Sequence, residues 1–536
     1  MSQQTFDNVL SWMEKCTIEH QACGPGEKFP LPRRVLDLMV RDEEVLLYES
    51  DGREARYMCL SHCWGNSRAL TTTLTNIENH KKGIPFEALP RTFQDAVLFC
   101  RKMKIRYLWI DSLCIIQDDE EDWQRESALM AQIYQHSYLT LAATASHSDE
   151  EGLFYTSPQA HVFGVLADGA PYQMHARPAI RHFDDAKFPL FSRAWIFQER
   201  MLAPRVLHFG EQELWWECME ALKCECGGIN SGERLGSGQA KYESKIAHQR
   251  IVSTASLAYL TIRWHTIIEE YSELNLTKSR DKLTALSGIA DQMFAIRESR
   301  QIRHRRVHHS PDRKYLAGLW SDTIVSDLLW FRKDHTTTSF PERWRAPSWS
   351  WAALDGPVTY WDTVGRNPTD PDEISPLERR ASGTLVADHH VQVIVNSTRL
   401  AGANQFGEIL GANLRLQGQL LPVHLTRGGS RYHGNRFEFR YFNQTRHSVP
   451  FFADYELSSF DLDRKPVLED TKGYLLRLMT DEQGHEYALV LRKASEDSDM
   501  YERIGLFRTN NLYPGAANQY REHFKGAQQQ TELTLL

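Results

Sequence analysis

Apolar positions are densest between Tyr107 and Ile116, where YLWIDSLCII is interrupted only by Asp111 and Ser112 and is bounded by charged residues. A short run without alternation predicts a strand buried on both faces of a parallel sheet. Asp118 to Asp122 is acidic; beyond it Trp123, Met130, Ile133 and Tyr134 recur at helical spacing, with Glu126 one turn before Met130. Upstream, Tyr57 to Ser61 forms a second short apolar run, which exits into His62-Cys63-Trp64-Gly65. Leu89-Pro90-Arg91-Thr92 introduces a helix over 93–104 with Thr92 as its N-cap. The predicted order is strand 57–61, helix 93–104, strand 107–116, helix 122–136, strand 138–143, the alternation of a parallel α/β sheet with right-handed crossovers.

The flanking patterns are of other kinds. Phe6 to Cys16 reads as a short helix and Arg34 to Tyr48 as an edge hairpin. Residues 146–190 form a connecting excursion. A helix capped by Ser192 follows, then VLHFG and ELWWEC as a hairpin. Residues 241–295 are helical, with Ser279 as a cap, and Tyr315 to Trp330 is predicted as a further helix. Trp344, Trp349 and Trp351 with Pro347 read as a core plug, residues 380–510 as a mainly β region and the polar stretch from Gly515 as a fraying tail. The predicted organisation is an N-terminal extension (1–50), an α/β core (51–230), a helical region with a Trp-rich closing segment (231–355) and a mainly β region (356–536).

Composition narrows the function classes. A net charge of -8 over 536 residues argues against a general nucleic-acid binder. No apolar run approaches the roughly 20 residues that span a bilayer, and MSQQTFDNVL does not read as a secretory signal, so a cytoplasmic protein without a membrane span is expected. Nine scattered cysteines fit reduced thiols better than a disulfide framework. Cys218, Cys224 and Cys226 make a C-x5-C-x-C cluster without paired CxxC spacing or a nearby fourth ligand, and His248, His265, His304, His308 and His309 are less specific still, so no metal site is expected. The basic run 298–310 reads as a solvated loop or helix end.

Ligands in open α/β sheets bind at the carboxyl ends of strands, which singles out Asp111, Asp118 and Glu126. Arg193, Gln198, Glu199 and Arg200 sit amid aromatic residues; if buried, their charges must be paired or functional. Ser61, His62 and Cys63 at one strand end, with Asp111 and Cys114 at the next, contain the elements of a Cys-His-Asp nucleophile, but neighbours on a regular strand face opposite ways. Small apolar packing is the plainer role for Cys63, Cys100 and Cys114.

Several stretches together resemble the fungal heterokaryon incompatibility (HET) domain family: YMCLSHCWG (57–65), LPRTFQD (89–95), IRYLWIDSLCIIQ (105–117), the Trp123, Glu126, Met130, Ile133-Tyr134 helix, Gly152-Leu153-Phe154, SRAWIFQE (192–199) and RAPSWSW (345–351). The resemblance implies a TIR/flavodoxin-like parallel sheet with helices and, for some members, allorecognition and regulated cell death through self-association. It further implies a TIR-like site that cleaves the nicotinamide bond of NAD, taken as substrate with no cofactor. Glu126, His62 and Asp111 are then the catalytic candidates, and Trp64, Trp109, Asp118, Trp123, Arg193, Gln198 and Glu199 the binding ones. Two other readings stand beside it: an enzyme of specialised metabolism with acid and base groups from His62, Asp111 and Glu126, and a non-catalytic interaction module. No Walker-type loop or repeat array is seen, so a nucleotide-switched sensor in cis is not expected.

Overall fold

The computed structural model describes residues 2–65, 70–155, 160–176, 180, 182, 188–229, 244–254, 256–304, 314–333, 341, 343–361, 388–427, 437–441, 449–455, 471–481, 484–495, 498–509, 520–524 and 530–536. The chain divides into two compact units, Met1–Arg250 and Ile251–Leu536.

The first unit is built on a nine-stranded mixed sheet. Its centre is four parallel strands, β3 (Tyr57–Ser61), β4 (Tyr107–Ile110), β5 (Leu139–Ala142) and β6 (Arg205–Phe209), lying side by side as β4-β3-β5-β6. Every residue of all four is buried, which accounts for the unbroken apolar runs. The sheet is mixed rather than purely parallel because hairpins continue it on both sides. The antiparallel pair β1 (Arg34–Arg41) and β2 (Glu44–Glu49) adds beside β4; β7 (Leu214–Cys218) and β8 (Leu222–Cys224) add beyond β6. The segment expected at the edge, Arg34 to Tyr48, is thus an integral part of the sheet.

Helices α1 (Gln3–Glu19), α2 (Arg91–Lys102), α3 (Glu120–Gln135) and α4 (Ala194–Leu202) complete this unit's main elements. Phe93, Ala96, Val97 and Cys100 recur on one face of α2 and are buried completely. Each larger apolar side chain so buried contributes about 1.5–3 kcal/mol. The helix starts at Arg91, after Pro90, and Thr92 does not cap it. Its hydroxyl instead accepts from the Gly152 amide (3.1 Å), while Asp95 Oδ2 accepts from the Leu153 amide (2.8 Å). Gly152 has φ +87°, and a Cβ there would lie 2.7 Å from Asp95 Oδ2. The Thr and Asp of LPRTFQD and the Gly of GLF are therefore one interlocked device that fixes the loop following β5.

The strand predicted over 107–116 ends at Ile110. Asp111–Cys114 is a single helical turn whose Ser112, Leu113 and Cys114 are buried, so the apolar run continues although the strand does not. Gln117 Nε2 donates to the carbonyls of Asp111 and Ile115 (both 3.1 Å) and closes the turn. Ser192 does not cap α4: its hydroxyl bonds Pro189, and Arg193 occupies the N-cap without a side-chain bond.

In the second unit, α5 (Leu257–Ser272) and α6 (Ser287–His304) pack with a tryptophan-rich segment. Trp264 and Trp351 both donate to the Gly318 carbonyl (3.0 and 3.1 Å), and Trp330 donates to the Trp349 carbonyl (2.9 Å). Trp349 and Trp351 are wholly buried, as a core plug requires, whereas Trp344 is exposed. Ser279 opens a short 3-10 turn rather than capping a helix. The helix expected over 315–330 is instead two short strands, one helical turn and the start of a third strand. Antiparallel strands β9 (Ile409–Arg427), β10 (Phe437–Tyr441), β11 (Val449–Ala453), β12 (Thr471–Thr480), β13 (Glu486–Lys493) and β14 (Met500–Arg508) pair in the cycle β9-β10-β11-β14-β13-β12-β9, a closed ring that leaves no free edge among them. Parts of the basic run 298–310, the excursion 146–190 and the tail from Gly515 lie outside the described residues; where it is described the tail does not fray, because Gln530–Leu535 is a strand paired with β9 and β14 that buries Leu533 and Leu535. No helix among the described residues is long and apolar enough to cross a membrane.

Candidate functional site

Strand register assembles the site. Leu60 on β3 pairs with Ile110 on β4, and Ser61 pairs with Ala142 on β5, so the three strands end together. His62 and Asp111, the next residues along β3 and β4, must then emerge side by side. β3 lies between β4 and β5, the second and third parallel strands in chain order, and such a reversal of strand order opens a crevice at the carboxyl ends.

His62 Nδ1 lies 3.8 Å from Asp111 Oδ1. The other Asp111 oxygen accepts from Trp64 Nε1 (3.0 Å), and Oδ1 also accepts from the Ser112 amide (2.8 Å). Arg193, at the mouth of α4, donates to the His62 carbonyl (3.3 Å). Glu199, one and a half turns further along α4, is buried close to Asp111, Ser61 and Tyr134. The arrangement has two levels: Trp64, Asp111 and Arg193 form a half-buried rim, and His62 and Glu199 a buried floor. Phe93 of α2 sets its ring edge against the His62 imidazole at 5.0 Å.

Electrostatics divide the floor into two unlike groups. Burial, reinforced by the negative charge of Asp111, raises the Glu199 carboxyl to about 7, although Ser61, Tyr134 and Arg193 pull the other way. Burial lowers His62 to about 4 against the attraction of Asp111, and its Nε2 makes no hydrogen bond. Near neutral pH the imidazole is uncharged and the glutamate is poised between its two forms. A carboxyl held at that value can donate a proton and take it back, which is general acid–base chemistry. Burial also raises the Cys63 thiol despite the neighbouring Arg193, which favours the packing role over that of a nucleophile.

Glu126 belongs to a different network. Its carboxylate lies 3.7 Å from the guanidinium of Arg34 on β1, both groups being 1% exposed. Arg34 also ion-pairs with Asp122 and donates to the Cys114 carbonyl (2.7 Å). Asp122 accepts further bonds from the Ile116 amide (2.9 Å) and Arg125 (2.7 Å). These bonds tie α3 to β1 and to the helical turn after β4. Arg34, the partner of Glu126, lies 92 positions earlier, where no local pattern marks it.

The remaining predicted residues scatter. Trp109 is completely buried and packs edge-on to Tyr134 at 5.6 Å, so it is a core residue and offers no stacking face to a ligand. Trp123 is partly buried against the core, and Asp118 is exposed and accepts from the Leu74 amide (2.8 Å). Gln198 is buried on α4. Arg200 is paired, as a charge among aromatic rings has to be: it meets Glu217 bidentately at 2.7 and 2.8 Å, and His208 joins them at 3.1 Å.

The cysteines regroup in a way that spacing did not disclose. Cys218 leaves Cys224 and Cys226 to join Cys16, His20 and Cys23, and those four donors lie within 4.8 Å of one another. Cys224 and Cys226 gather with His182 and Glu213 instead. Each cysteine of the C-x5-C-x-C cluster thus has ligand-type partners, brought from segments too distant for local spacing to show.

Residues 57–199 match the model of the heterokaryon incompatibility protein (HET) family. Over this span the chain is similar to HET domains. The matched span opens at β3 and closes at Glu199, so it contains His62, Asp111, Arg193 and Glu199 and leaves out Arg34. No curated protein and no solved structure matched the chain.

Proposed function

We propose that this HET domain is the effector of an incompatibility-type, regulated cell-death response and that it acts as a TIR-like NAD glycohydrolase. The reading is supported above all by the meeting of His62, Asp111, Arg193 and Glu199 where β3 and β4 end, with one buried carboxyl poised near neutrality. Loss of nicotinamide builds positive charge on the ribose, which the Asp111 carboxylate would stabilise, while Glu199 would exchange the proton of the incoming water. Arg193 would hold a phosphate, Trp64 would stack on a ring, and neutral His62 would orient Asp111. The β4-β3-β5-β6 order, second-first-third-fourth in the chain, supports the flavodoxin-like part of the proposal. Glu126 takes the part of a brace in this scheme.

One observation favours the non-catalytic reading: His62 and Glu199 are each only 4% exposed. Incubating the purified full chain with NAD, dilute and at high concentration, and measuring free nicotinamide decides between them. Release that Asp111→Asn abolishes supports the enzyme; no release in either state removes it.

A further inference from the structure

We infer that Cys16, His20, Cys23 and Cys218 form a structural zinc site that fastens helix α1 to the β7–β8 hairpin of the sheet. The donor set is the first argument. Three thiols and one imidazole are a recognised structural zinc combination, and thiolate-rich tetrahedral sites select zinc or iron–sulfur chemistry over magnesium or calcium.

Geometry is the second. Cys16 and His20 stand four residues apart at the end of α1 and so share a face. The chain turns after the helix and returns Cys23 to the same point, and Cys218, the last residue of β7, supplies the fourth donor. Around a tetrahedral zinc with bonds of about 2.3 Å to sulfur and 2.0 Å to nitrogen, donor atoms sit roughly 3.5–3.8 Å apart. His20 Nδ1 is 3.3 Å from Cys218 Sγ and 4.0 Å from Cys23 Sγ, and all four donors fall within 4.8 Å of each other. Small shifts of the side chains close the polyhedron.

The surroundings are the third. Cys16 and Cys218 are fully buried, Cys23 is 6% exposed and His20 is half-buried, and four protein donors fill a tetrahedral ion, as in structural sites, with no position left open to substrate. The Ala221 amide donates to Cys218 Sγ (3.3 Å) across the β7–β8 turn, stabilising negative charge on that sulfur. Arg205 is 1% exposed, and among the described residues it makes no ion pair with a carboxylate. It donates to the carbonyls of Cys23 (3.1 Å) and Gly24, and its charge reaches Cys16. A buried guanidinium needs a counter-charge. Zinc with three thiolates carries a net charge of -1 and supplies it. The Ala22 amide, bonded to Glu220 at 2.7 Å, fastens the same loop to the same turn.

The test is metal content of the full chain purified without chelator, by elemental mass spectrometry. Cys16→Ser with Cys23→Ser is expected to hold one zinc equivalent fewer than wild type. Cys224→Ser with Cys226→Ser, in the neighbouring cluster, is expected to retain the equivalent that the first pair loses. Cobalt(II) replacement in the wild-type chain serves where the first pair does not fold. It should give the ligand-field bands of a tetrahedral ion with strong sulfur charge transfer, and His20→Cys should keep the metal while strengthening that transfer. Three results would overturn the inference: wild type that binds neither zinc nor cobalt, zinc content unchanged in Cys16→Ser with Cys23→Ser, or a disulfide joining any two of Cys16, Cys23 and Cys218 in protein alkylated before reduction.

Discussion

Two buried glutamates, alike in chemistry and unlike in their neighbours, show how environment assigns a role. Glu126 and Glu199 both lie on helices that cover the same sheet, and burial raises both carboxyls. Glu126 faces a guanidinium that it shares with Asp122, so its charge is compensated and its place is fixed by β1. Glu199 faces Asp111, a like charge, and the countering Arg193 is half-buried at the rim. The first arrangement holds elements together. The second stores a proton.

The comparison can be broken most forcefully at Arg34. Arg34→Ala leaves Glu126 buried without its ion-pair partner and Asp122 with only Arg125 and the Ile116 amide, a loss expected to cost about 3–5 kcal/mol in denaturant unfolding. A loss below about 1 kcal/mol would mean that the network is not a brace. Next in size is a pH effect at Glu199. Its carboxyl is raised in the folded state, so the folded protein holds a proton that the unfolded chain has released between pH 4.5 and about 7. Stability from this group is complete below pH 4.5 and is lost as pH rises through 7. Glu199→Gln should remove that decline, gaining on wild type by up to about 3 kcal/mol between pH 4 and pH 8. An identical stability difference at both pH values would contradict the poised carboxyl.

His62 supplies the opposite slope. It is lowered to about 4, so its contribution is present above about 6.5 and is lost as pH falls through 4. His62→Gln should therefore flatten the acid side of the stability profile, read from unfolding midpoints between pH 4 and 6.5; an unchanged acid limb would place the imidazole in water. The smallest expected effect is that of Glu126→Gln. Arg34 keeps Asp122, and the change should cost about 1 kcal/mol. A loss several times larger would mean that Glu126, rather than Asp122, anchors Arg34.

The contrast also explains what the sequence could disclose. His62 and Asp111 were legible because each directly follows a short apolar run, and two parallel strands in register bring their exits together. Glu199 was legible as a charge among aromatic residues, but its neighbours, Asp111 and Ser61, lie at the ends of other strands. The partner of Glu126 was not legible, since Arg34 comes from a hairpin that looks like an edge and is a full member of the sheet. The turn at Asp111–Cys114 was hidden for a related reason: a buried helical turn and a buried strand share one composition. The Cys16, His20, Cys23 and Cys218 group escaped because its fourth ligand is 195 positions from the third. Local spacing carries no trace of such a closure.

The most direct test of the central claim, that Glu199 and not Glu126 carries the proton chemistry, is the rate of nicotinamide release from NAD by Glu199→Gln and Glu126→Gln, each first shown to be folded. The account predicts a loss of about 100-fold or more for Glu199→Gln and a change within about threefold for Glu126→Gln, as for a brace whose remaining partner still holds. Full activity in Glu199→Gln together with its loss in Glu126→Gln would contradict it.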